Sequence, residues 1–165
     1  MTLGLSLETF TTLHVIISLL GIASGLVAFI AVARGAWLQR WHDGFLLTTI
    51  LTSLTGFLFP FKGVTPAIVV GVLSMVLLVV ACLALYRWKA KGWARLVYMV
   101  TGVIALYFNM FVLIIQSFQK IPTFTALAPT QSEPPFVIAQ AIVLLGSLVL
   151  GFAATRSSRR SAIEA

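Results

Sequence analysis

Five apolar stretches of bilayer length recur along this chain, at about residues 13–33, 45–61, 66–86, 96–115 and 136–154, each bounded by charge, proline or glycine. A helix rising about 1.5 Å per residue needs about 20 such residues to cross a hydrocarbon core of about 30 Å. The pattern predicts an all-α bundle of five transmembrane helices in one domain. Composition agrees: of 165 residues, 60% are apolar and 9% charged, whereas a soluble domain carries about a quarter of its residues as charges. The second stretch, FLLTTILTSLTGFLFPF, is the shortest, and its four Thr, one Ser, one Gly and one Pro demand low tilt or local thinning of the bilayer.

Cation placement sets the expected orientation. Arg34 and Arg40 fall between spans one and two, Arg87, Lys89, Lys91 and Arg95 between three and four, and Arg156, Arg159 and Arg160 after span five, so nine of eleven cations share one side. The positive-inside rule makes that side cytoplasmic, with the N-terminus outside, the C-terminus inside, and Lys62 and Lys120 facing out. All four Trp (Trp37, Trp41, Trp88, Trp93) sit by the same inner loops and all six Pro in outer segments, as interfacial indoles and membrane topology require. The formal charge of +7 is thereby explained by juxtamembrane cations and anionic lipid headgroups as partners, and nucleic acid is not expected.

Cys82 stands alone, which excludes a disulfide scaffold, a thiol pair and a cysteine zinc cluster. Ala31-Val32-Ala33 has the form of a signal-peptidase site. No cation precedes Arg34, however, and the apolar core is too long for a signal peptide, so the first span is expected to be retained. The acids Glu8, Asp43, Glu133 and Glu164 all lie outside the apolar stretches. No phosphate loop, Ser-His-Asp set or metal cluster is visible, so no enzyme activity, no metal and no cofactor are expected.

In span one, His14, Ser18, Gly21, Gly25 and Ala28 form one stripe. Gly21-x-x-x-Gly25 is a small-xxx-small face, and Ser18, Gly21 and Gly25 are assigned to helix packing. Thr48, Thr52 and Thr55 share a face of span two, as packing hydroxyls or, in a permease, the lining of a water path. Gly102, Ala105, Asn109 and Gln116 share a face of span four. Asn109, Gln116, Gln140 of span five and His14 are expected at one depth in the outer half, under a long outer loop over 117–135 that carries Lys120 and Glu133. These six residues form the candidate ligand site, a structural hydrogen-bond network being the alternative. His42 is expected to be a solvated loop residue. It lies a membrane thickness from His14 and cannot share a haem with it, which leaves only Met110 as a second axial ligand. The segment 156–165 reads as a frayed basic tail.

Two stretches, TSLTGFLFPF over 52–61 and ALYFNMFVLIIQSFQKIPTFTALAPTQSEPPF over 105–136, resemble segments of an uncharacterised proteobacterial family of small multi-pass inner-membrane proteins. With LHVIISLLGIASG over 13–25 the likeness runs along nearly the whole chain. It implies a bacterial inner-membrane setting and no catalytic residues. The function expected is that of a non-enzymatic binding or accessory protein, whose partners are membrane lipids and either a small lipophilic ligand or another membrane protein. A quinone- or haem-binding redox component and a small permease are the alternatives.

Overall fold

The computed structural model describes residues 4–59 and 66–163, and among these the chain is helical with no strand element. In chain order the helices are α1 (Leu7–Ala33), α2 (Gln39–Phe57), α3 (Pro66–Cys82), which continues as a π-helical turn (Leu83–Arg87), α4 (Trp93–Lys120), the short α5 (Pro122–Leu127) and α6 (Pro134–Ile163). Four segments are long and apolar enough to cross a membrane: Leu7–Ala33, Ile68–Arg87, Trp93–Lys120 and Pro134–Arg159. Helix α2 is not among them, because Gln39, Arg40, His42 and Asp43 fall within its first five residues and threonines occupy its middle. The expected turn at 62–65, with Lys62, and Glu164 lie outside the described residues.

Helix ends differ from the expected spans for local reasons. Ser6 caps α1 by accepting the amide of Thr9 at 3.1 Å, so the helix begins six residues before the apolar run. The presumed loop over 117–135 is largely helical: α4 runs on to Lys120, Pro122 opens α5 at a position where its missing amide costs nothing, and α6 starts at Pro134. At the other end α6 continues through 156–163 where a frayed tail was expected, since RSSRRSAI contains no Gly or Pro to stop it.

Helix α1 packs most extensively on α2, while α4 touches α1, α3 and α6 and forms the middle of the bundle. Close approach depends on missing side chains. A Cβ on Gly25 would stand 2.7 Å from Phe45 Cδ2, and one on Gly102 would stand 2.5 Å from Phe29 Cζ. Such contacts supply van der Waals energy where no hydrophobic drive between helices exists. The buried core centres on Phe29, Phe45, Leu46, Tyr98, Met99 and Leu106. Outside it, α6 exposes Ile142, Leu145, Leu148, Val149 and Phe152, the inverted surface of a helix bundle made for lipid.

Candidate functional site

The six residues expected to form one cluster are held in separate contacts. His14 Nδ1 lies 2.7 Å from Thr55 Oγ1; the Thr55 hydroxyl donates to the Leu51 carbonyl at 2.7 Å, so the imidazole N–H is the donor to Thr55. Asn109 Nδ2 donates to Thr49 Oγ1 at 3.3 Å. Thr49 and Thr55 are six residues apart on α2, about 9 Å along its axis, so His14 and Asn109 sit at different levels. Gln140 donates to the Phe111 carbonyl of α4 at 3.2 Å, with its Oε1 buried and unpaired. Gln116 is half-buried and joins none of these bonds. Lys120 is exposed, and the Glu133 carboxylate is used inside its own turn, accepting from Thr130 N, Thr130 Oγ1 and Ser132 N.

Of the packing residues, Gly21 and Gly25 are buried. Gly21 faces Thr48, Thr49 and Asn109, and Gly25 faces Phe45 and Leu106. Ser18 donates to the His14 carbonyl of its own helix at 2.8 Å. Thr48, Thr52 and Thr55 likewise donate to carbonyls of α2.

The densest polar constellation lies at the opposite, cation-rich end. His42, expected to be solvated, is 0% exposed. Helix α2 already begins at Gln39 and turns His42 inward at the head of the buried face that continues as Phe45, Leu46, Thr49, Thr52 and Ser53. Its Nδ1 is 2.9 Å from the hydroxyl of buried Tyr98. The indole of Trp37 stacks on the imidazole at 4.2 Å between centroids, and Phe29 meets it edge-on at 5.8 Å. Nε2 is buried without a partner.

A second layer ties this pair to two turns. Trp37 Nε1 donates to Gln39 Oε1 at 2.8 Å, and Gln39 Nε2 donates to Asp43 Oδ1 at 2.8 Å. The Tyr86 hydroxyl donates to the same oxygen at 2.7 Å. The Arg95 guanidinium lies 5.0 Å from the Trp37 ring centroid, in cation–π range, with its Nε buried and unpaired. Between the turns opens a cavity of about 440 Å³ whose wall includes Trp37, Gln39, Tyr86, Lys89 and Arg95.

The backbone at this cavity is unusual. Helix α3 closes in the π-helical turn, a form frequent at functional sites, with Trp88 N–H on the Leu83 carbonyl at 3.0 Å and Ala90 N–H on the Ala84 carbonyl at 2.9 Å. Lys89 (φ 53°) and Ala90 (φ 47°) then take the left-handed conformation, where non-glycine residues carry about 1–3 kcal/mol of strain. Gly92, the N-cap of α4, offers no side-chain cap, so the amino end of α4 adds its partial positive charge to that of Lys89 and Arg95. The arrangement favours an anion: Lys89 and Arg95 line the opening, and the nearby carboxylate of Asp43 is engaged by Gln39 and Tyr86. Among the described residues no three His, Cys, Asp or Glu side chains are grouped to hold a metal ion.

The sequence carried a signal for this site. In AWLQRWHDG a His and an Asp directly follow two Trp residues, and His42 extends the buried stripe of α2 backwards by one turn. Comparison of the chain with family models, curated proteins and solved structures finds no match.

Proposed function

We propose that the chain is a non-enzymatic binding protein of the bacterial inner membrane, that it crosses the bilayer five times with its N-terminus outside, and that its site is the cavity at the cytoplasmic end, which takes an anionic headgroup. The observation that carries this reading is the cavity of about 440 Å³ with Lys89 and Arg95 in its wall, where Arg95 Nε is buried without a hydrogen-bond partner. Arg is suited to phosphate and carboxylate because its planar fork binds two oxygens at once. Aromatic Trp37 and Tyr86 suit the headgroup level of a bilayer, where an apolar ring meets a polar edge.

The fifth crossing is that of α2. Its 19 helical residues span about 28 Å, and its long seam with α1 supplies the protein contact that a threonine-rich segment needs in lipid. Nine cations on one side support the orientation, and the resemblance of 52–61 and 105–136 to proteobacterial inner-membrane proteins supports the setting.

A thermal-shift series in neutral detergent tests the binding. Dihexanoyl phosphatidylglycerol should raise the melting temperature, the zwitterionic dihexanoyl phosphatidylcholine should not, and Arg95→Gln should remove the difference. Equal shifts with both lipids would contradict an anion site.

A further inference from the structure

A second cavity, of about 380 Å³, runs along the seam of α2 and α3, with Ile50 on one side and Met75, Leu78, Val79, Cys82 and Tyr86 on the other. Tyr86 is common to both cavities. Met75, Val79, Cys82 and Tyr86 follow one another at helical spacing down a single face of α3. From Met75 to Tyr86 that face is about 16 Å long, close to the depth of about 15 Å of one leaflet. The groove therefore starts at the polar cavity and ends near the level where the leaflet ends.

We propose that the occupant is a single anionic phospholipid of the leaflet on the cation-rich side, its phosphate in the cavity by Lys89 and Arg95 and one acyl chain in the α2–α3 groove. This rests on the headgroup reading above and adds the tail. Three features of the groove select a lipid over a soluble anion. Away from Tyr86 and Arg87 the groove is walled by Ile50, Met75, Leu78, Val79, Leu83 and Cys82. Val79 on its wall is 55% exposed, so the groove opens sideways to the bilayer. Arg87 flanks Tyr86 at the polar mouth, where a phosphate would pass between the two cavities. The hydroxyl of Tyr86, held on Asp43 at 2.7 Å, fixes the ring at the junction, so the aromatic edge separates the headgroup compartment from the tail compartment.

Two measurements on the full chain in phosphatidylcholine nanodiscs test it. In the first, wild-type protein is photolysed with a phosphatidylglycerol carrying a diazirine in its acyl chain. Adducts should concentrate on residues 75–83 and Ile50, and labelling spread evenly over the exposed face of α6 overturns the inference. In the second, binding of dioleoyl and dihexanoyl phosphatidylglycerol is compared by native mass spectrometry. Val79→Trp fills the groove from its exposed side and should weaken the long-chain lipid about tenfold while leaving the short-chain one unchanged; Lys89→Gln should weaken both about fivefold, the worth of one interfacial cation. An unchanged long-chain affinity in Val79→Trp, or an equal loss of both lipids, sinks the tail site while the headgroup site stands. No change in Lys89→Gln would sink the headgroup site itself.

Discussion

His42 Nδ1 and the Tyr98 hydroxyl meet at 2.9 Å across the α2–α4 interface, both side chains fully buried, and this bond joins two helices that otherwise touch little. Either tautomer leaves Nε2 unpaired, so Tyr98 supplies the one hydrogen bond the imidazole has. Tyr98→Phe should cost about 1–3 kcal/mol, the penalty for stranding a buried polar group. His42→Phe removes both nitrogens, so the double variant should cost less than the two single ones combined. Unfolding of all three in a denaturing detergent series measures the coupling; strict additivity would mean the bond contributes nothing.

Much of the fold was legible because it rests on periodicity. The apolar stretches located α1, α3, α4 and the start of α6 to within a turn or two, since helix length in a bilayer is set by thickness. What escaped was the polar constellation around His42, and the reason is where α2 starts. With residues 34–44 taken as a loop, His42 is a solvated side chain. With α2 starting at Gln39, three residues of helical rotation bring it under Trp37 and onto Tyr98. Tyr98 itself extends the face of Gly102, Ala105 and Asn109 by one turn towards the same end. The partners of the outer polar residues escaped for a different reason. Depth along a helix can be counted from the sequence, but the partner cannot: His14 found Thr55, Asn109 found Thr49 and Gln140 found a backbone carbonyl.

Close packing of α1 and α4 sets a further test. Gly25→Ala and Gly102→Ala each force a methyl against Phe45 and Leu106 or against Phe29, and each should lower stability by about 1–3 kcal/mol. A Cβ on Gly146 of α6 meets nothing within 4 Å, so Gly146→Ala should stay within about 0.5 kcal/mol of wild type. The three variants melted side by side decide it, and equal behaviour would mean α1 and α4 are not in contact.

Topology is open to direct labelling. With Cys82 replaced by Ser, single cysteines at Lys89 and Lys120 should react from opposite sides of intact cells: Lys120→Cys with an impermeant maleimide, Lys89→Cys only after permeabilisation. Reaction of Lys89→Cys in intact cells would reverse the orientation.

Trp37 touches both the imidazole of His42 and the cavity, which makes its fluorescence the most direct report on the proposed headgroup site. In protein with Trp41, Trp88 and Trp93 changed to Phe, all three being exposed, titration with dihexanoyl phosphatidylglycerol should give a saturable change that Lys89→Gln weakens and Asn109→Leu, at the far polar contact, leaves intact. No change, the same change with dihexanoyl phosphatidylcholine, or loss of the signal in Asn109→Leu but not in Lys89→Gln would contradict a headgroup site at the cation-rich end.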